Sequence, residues 1–145
     1  LDGLGPDPID QEITAQEMMM AAKNCSTVSI KNFLMDAKRI AGIGNIYACE
    51  ALFAARIYPK KPARKISSTQ WTILLSVLRD ILKKSIVAGG TTLRDFHSTD
   101  GSQGYYKFKL AVYGKGNKPC PVCTEPIKRI VQSARSTFYC KICQK

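Results

Sequence analysis

Residues 118–145 read KPCPVCTEPIKRIVQSARSTFYCKICQK. Two Cys-x-x-Cys pairs, Cys120/Cys123 and Cys140/Cys143, stand 16 residues apart. Zinc asks for four soft ligands at tetrahedral corners, and two knuckles presented by one hairpin meet that demand. Ile127 to Val131 and Ser136 to Cys140 are the candidate hairpin strands. The stretch holds no sizeable apolar cluster, and its bases far outnumber its one acid, Glu125. A unit of that kind needs a staple. One structural Zn2+ supplies it, and four thiolates leave no position open for water. Two disulfides are the competing reading. No basic segment followed by an apolar one marks a secretory signal, which favours reduced thiols. A redox role would need only one of the pairs.

Working outward, the segment before the finger changes its period. Lys107 to Val112 alternate polar and apolar, which predicts a half-buried strand, and Gly114 to Asn117 predict a turn. Further back lies the clearest helix, over 67–88. Ser67 and Gln70 match a capping box. Leu74, Val77, Leu78, Ile81 and Leu82 fall on one helical face, and Gly89-Gly90 ends it. Residues 30–57 read as a short helix carrying Phe33 and Leu34, a turn at Gly42-Ile43-Gly44-Asn45, and a longer helix with Ile46, Cys49, Ala51, Leu52 and Phe53. Asp10 stands before a short apolar-periodic run through Ile13, Met18, Ala21 and Ala22, a further helix. Met18-Met19-Met20 is read as packing filler. Residues 1–8 have linker composition. A first residue of Leu1 instead of Met points to a piece of something longer.

The 145 residues carry 22 bases and 11 acids, a net charge of +11. The imbalance is uneven, because residues 1–30 hold five acids and one lysine. The rest of the chain therefore carries the basic excess, which favours a polyanion, nucleic acid above all. No apolar run approaches the length needed to span a bilayer. Gly42-Ile43-Gly44-Asn45 opening a helix is a candidate phosphate site: backbone N–H groups and the positive dipole end face an anion, and Asn45 adds an amide. A plain tight turn explains the same residues. Cys49 is read as a buried core thiol and His97 as a loop residue outside any metal site. No Ser-His-Asp or HExxH arrangement is present.

Several of these motifs occur in one order. Lys31 to Asp36, Ala41-Gly42-Ile43-Gly44-Asn45-Ile46-Tyr47, Glu50 to Phe53, Ile57-Tyr58-Pro59, Gly89 to Phe96, Asp100-Gly101, Gly104-Tyr105 and Val112-Tyr113-Gly114 precede the finger, which ends Cys140-Lys141-Ile142-Cys143-Gln144-Lys145. Together they resemble the C-terminal half of bacterial formamidopyrimidine-DNA glycosylase, the base-excision enzyme for 8-oxoguanine and ring-opened purines. The resemblance implies a mainly α fold: a linker over 1–8, a helix–two-turn–helix domain over 9–113 and a zinc-finger hairpin over 114–145. It implies that Asn45 (beside Gly44) and Arg135 bind phosphates flanking an extruded nucleotide, that Lys31 contacts the backbone, and that a loop over about 98–106, with Tyr105, closes over the damaged base. Endonuclease VIII enzymes share helices and finger but usually lack this loop pattern and the Val-Tyr-Gly.

It also implies a double-stranded damaged-DNA partner, a bacterial cytoplasmic and nucleoid-associated setting, a monomer, and no membrane association. The family's catalytic proline, glutamate and lysine belong to an N-terminal β-rich domain that is absent from this sequence. Leu1-Asp2 is not read as a substitute, so the expectation is a DNA-gripping half with no catalytic residue, inactive alone. A free-standing zinc-containing nucleic-acid-binding module and a protein-interaction scaffold remain as rivals. One departure stands out: the glycine common after the second finger cysteine is Thr124, where a positive φ would cost about 1 kcal/mol.

Overall fold

A computed structural model describes residues 13–24, 27–36, 43–87 and 110–145. The linker, Asp10, Cys25, His97, Tyr105 and the rest of the expected base-covering loop lie outside the described residues.

Among the described residues, four α-helices build the body. α1 (Ala15–Lys23) is capped by Thr14, whose hydroxyl accepts the Glu17 N–H. Met18 and Ala22 face the core, Met19 is partly buried, and Met20 is 62% exposed. The methionine run therefore supplies packing on one side only. α2 (Ile30–Met35) begins at Ser29, whose hydroxyl accepts the Asn32 N–H, and it buries Ile30, Phe33 and Leu34. α3 (Asn45–Ala54) is buried along its whole length from Ile46 to Phe53. Such a helix lies inside a fold, with neighbours on every side.

α4 (Ser68–Val87) is opened by the capping box read from the sequence. The Ser67 N–H donates to Gln70 Oε1 at 2.9 Å and the Gln70 N–H to Ser67 Oγ at 3.1 Å. Trp71 is fully buried edge-on to Phe33, with ring centroids 5.6 Å apart. A 3₁₀ turn (Ala63–Lys65) links α3 to α4 and is tied to α2 through Ala63 N–H to Val28 O at 2.8 Å and Ile30 N–H to Lys61 O at 2.7 Å.

The C-terminal unit is a two-stranded antiparallel hairpin, β1 (Lys128–Gln132) and β2 (Arg135–Tyr139), with Lys128 opposite Tyr139 and Gln132 opposite Arg135. The first strand begins one residue later than expected and the second one earlier. Between them Ser133 and Ala134 stand at φ +50° and +66°, the two-residue geometry that matches the twist of paired strands. Residues of β1 and β2 alternate between two faces. Gln132, Thr137 and Phe138 are buried, and Arg129 and Val131 are exposed.

The finger, which has no sizeable apolar cluster of its own, gains apolar support from the helical body. Cys120, Ile127, Phe138 and Cys140 share a buried cluster with Cys49 and Phe53 of α3 and with Val112. The core that the hairpin cannot build by itself is borrowed from α3.

The expected strand at Lys107–Val112 is corrected where the described residues reach it. Ala111, Val112 and Tyr113 form bends and turns, not a ladder. Their N–H groups donate instead to one side chain: Ala111 to Glu50 Oε1 at 2.7 Å, and Val112 and Tyr113 to Glu50 Oε2 at 2.9 Å each. A carboxylate 6% exposed thus takes the place of a partner strand. Val112 is fully buried, but an alternating sequence specifies a strand only when a neighbouring strand is available.

Thr124 stands at φ +69° and Ala134 at +66°, in the region only glycine enters freely. Thr124→Gly and Ala134→Gly should each raise stability by about 0.5–1 kcal/mol, read as an upward shift of the unfolding midpoint in denaturant. Glu50→Gln should act in the opposite direction. The amide keeps one acceptor but turns an NH2 towards buried donors, so a loss of about 2–4 kcal/mol is expected in the same titration.

Candidate metal centre and nucleic-acid interface

The four finger cysteines converge. Their sulfurs all lie within 4.8 Å of one another, with Cys120 Sγ 3.8 Å from Cys143 Sγ and Cys123 Sγ 3.4 Å from Cys140 Sγ. Tetrahedral zinc with Zn–S bonds of about 2.3 Å sets sulfurs about 3.8 Å apart, so the donor set fits that ion. Each knuckle turns an N–H onto a sulfur: Val122 to Cys120 Sγ and Cys143 to Cys140 Sγ, both at 3.4 Å. Thr124 N–H closes the first knuckle on Cys120 O at 2.9 Å.

Crowding divides the thiols. Burial opposes ionisation of Cys120, but N–H groups and neighbouring thiols outweigh it and bring its pKa down to about 7. The Cys123 sulfur is aided by the Glu125 N–H, yet burial and the other three thiols push it up to about 12. Cys143 is also raised, by burial first. A dication at the centre removes that conflict and holds all four as thiolates.

The expected phosphate-binding residues meet at β2. The Asn45 amide, at the start of α3, donates to Ser136 O at 2.9 Å. The Lys31 ammonium donates to Thr137 Oγ1 at 2.6 Å and reaches Ser136 O at 3.5 Å. Arg135, the preceding residue, is exposed at the hairpin tip. Its own strand is held on the outer face by Arg129, whose guanidinium donates two hydrogen bonds to Ser136 Oγ, at 2.8 and 3.1 Å. A groove of about 250 Å³ lined by Asn32, Met35, Asp36, Ser133 and Arg135 opens beside the tip.

Three details differ from a simple surface grip. Lys31 is fully buried, and burial lowers its pKa, with the nearby Cys49 thiol opposing that effect and Arg135 adding to it. Its ammonium therefore lies beneath β2, bonded to Thr137. Asn45 spends one amide hydrogen on Ser136 and leaves Oδ1 buried without a partner. Gly44 caps α3 at φ −91°, an angle open to any residue, and contributes no side-chain cap. What glycine provides there is a helix N-terminus with no capping side chain laid over it. The Cys49 thiol is 1% exposed, as expected of a core cysteine, and burial pushes its pKa up.

Sequence reasoning passed over Glu50, Ser136 and Gln144. Glu50 carried a signal, since a carboxylate inside an otherwise buried helix must have an internal partner. Ser136 acts mainly through its backbone carbonyl, which no side-chain pattern reveals. Gln144 is 2% exposed and bonds to Cys140 and Ile57 across the unit boundary.

The family model described as the formamidopyrimidine-DNA glycosylase H2TH domain matches residues 4–97, and the one described as the zinc finger found in FPG and IleRS matches 117–145. A formamidopyrimidine-DNA glycosylase of Ruthia magnifica is 46% identical over 144 residues, covering 99% of this chain and 53% of the relative. One from Legionella pneumophila (strain Lens) is 45% identical over 141 residues, covering 97% and 51%. Among solved structures, Lactococcus lactis Fpg in complex with DNA containing an abasic site superposes with a TM-score of 0.84 at 32% identity, covering 99% of this chain and 52% of that one. The Thermus thermophilus MutM (Fpg) protein gives 0.84 at 37% identity, covering 98% and 54%. The chain thus spans about half the length of the curated relatives it matches. On the two family matches and these likenesses, the chain belongs to the formamidopyrimidine-DNA glycosylase family, whose H2TH and zinc-finger portions it carries.

Proposed function

We propose that this chain is the DNA-gripping half of a base-excision glycosylase and AP lyase for oxidised purines, 8-oxoguanine and formamidopyrimidines, and that it binds damaged duplex DNA without cutting it. The carrying observation is the convergence of Lys31 and Asn45 on Ser136 and Thr137 of β2, beside the exposed Arg135 and the N-terminus of α3, which has no side-chain cap. The relatives' names and the DNA complex of the Lactococcus lactis protein support the reading. So does a net charge of +11.

Each part has a separate task. Arg135 offers a planar fork of donors that suits a phosphate. The α3 N–H groups add an anion site whose geometry is fixed by the helix. Asn45 and Lys31 hold the strand that bears Arg135, and Lys31 adds positive charge below it. Such contacts hold a backbone in register and carry no sequence information. They suit an enzyme that finds its base by extruding it. The chemistry would need an activated nucleophile beside the sugar. Lys31 does not supply one, because its ammonium is buried against Thr137. Among the described residues no helix is long and apolar enough to cross a membrane. A cytoplasmic, nucleoid-associated setting and a monomeric state belong to the same proposal.

The chain should bind duplex DNA with steep salt dependence, each neutralised phosphate adding about −0.9 to the slope of log K against log salt. Arg135→Ala should weaken binding alike on all sequences and reduce that slope by about one phosphate. Asn45→Ala should weaken binding too. An 8-oxoguanine duplex should remain intact in the bound state. Fluorescence anisotropy across a salt series and a gel of the same duplex check these outcomes. Parental affinity in both variants would remove the assigned grip, and salt-insensitive or absent binding in the parent would remove the DNA reading itself.

Zinc affinity should fall as pH falls, since protons compete for the thiolates. The fall should steepen below pH about 7, where Cys120 as well must lose a proton before it can bind. Competition with a chromophoric chelator between pH 6 and 8 measures the slope.

A further inference from the structure

The end of the chain is fastened to a distant connection by a set of bonds that metal ligation does not require. Gln144 Oε1 accepts the Cys140 N–H at 2.8 Å, and Gln144 Nε2 donates to Ile57 O at 2.9 Å. Lys145 N–H donates to Arg56 O and Tyr58 N–H donates to Lys145 O, both at 3.2 Å. The ring of Tyr58 meets that of Tyr139 edge-on, at 5.3 Å. Arg56 stands at φ +62°, an uncomfortable angle for arginine that the surrounding bonds must hold. The second cysteine knuckle is therefore held on one side by the sulfur cluster and on the other by the connection after α3.

We propose that Gln144 is a positioning residue for the metal centre: it clamps the Cys140 knuckle to residues 56–58, so that zinc retention and the order of that connection form one coupled equilibrium. The Cys140 N–H would otherwise be buried without an acceptor. With it held, the Cys140 backbone is fixed and its sulfur is aimed at the ion. Glutamine suits the place better than glutamate. It accepts at one end and donates at the other, and it adds no charge beside a centre that carries two net negative charges when four thiolates bind one dication. A glutamate would keep the bond to Cys140, lose the donor to Ile57 and repel the thiolates. The inference concerns the metal and the connection, and it stands whether or not the chain grips DNA.

The test uses the whole zinc-loaded chain and a chromophoric chelator that captures released metal. Gln144→Ala and Gln144→Glu should both release zinc about 10-fold faster or more, the usual scale for a lost partner of a ligand. Gln70→Ala, which removes half of a remote helix cap, should lower stability and leave the release rate at the parental value. That control separates positioning from general loosening. In the parent chain stripped of zinc, the Tyr58 amide should lose its protection from hydrogen exchange while amides in the middle of α4 keep theirs. Parental release rates in both Gln144 variants would overturn the clamp. Release from Gln70→Ala as fast as from the Gln144 variants would reduce it to general stability. An unchanged Tyr58 amide after metal removal would overturn the coupling, whatever the fate of the variants.

Discussion

A hairpin of two five-residue strands is marginal in water, because it buries little and leaves both edges open. Seating it on α3 is the constraint that the rest of the structure serves. The apolar part of that seat is Phe53 and Cys49 packed against Phe138, Ile127 and the finger cysteines. The polar part is more selective. Lys31 and Asn45 both reach the carbonyl of Ser136, and Lys31 also bonds to Thr137, so strand position is set to within a hydrogen bond's tolerance. Burying the Lys31 ammonium costs free energy, which hydrogen bonds offset only in part, and its lowered pKa records the deficit. Stability alone would favour an apolar residue of that shape. The fold keeps a cation there, close under the exposed Arg135.

Entry to and exit from the finger are governed in the same manner. Glu50 gathers the N–H groups of three residues just before the hairpin unit. Gln144 and Lys145 return the chain to the end of α3 after it. Zinc closes the loop between these two points. The helical part and the finger are matched by two different family descriptions, yet the described residues share one buried cluster across the boundary.

Most of the architecture was legible because it rests on local rules. The capping box at Ser67 and Gln70 names the first turn of α4, and the heavily apolar stretch after Asn45 names a buried helix. Two Cys-x-x-Cys pairs name a tetrahedral site without help from tertiary structure, and Thr124 announces its own discomfort. The expected strand before the finger failed for a physical reason. A period of two describes where side chains point, and it says nothing of what satisfies the backbone. That answer lay 61 positions away in Glu50. Lys31 was expected to contact a DNA backbone, and a sequence does not disclose that its ammonium is enclosed against Ser136 and Thr137 of β2. Burial of a charge depends on the elements packed above it, and these come from both ends of the chain.

The exposure of Met20 has a consequence for chemical damage. Thiols react with oxidants as thiolates and only where reagent can reach them. Cys49 is enclosed and pushed towards its protonated form. The four finger sulfurs are reserved by zinc as long as it is held. The softest accessible sulfur among the described residues is then a thioether, that of Met20 at 62% exposure on the outer side of α1. Peroxide would convert it to a sulfoxide, a polar group on a surface that already faces water. Nothing in the core is disturbed by that change, because Met20 lies on the exposed side of α1.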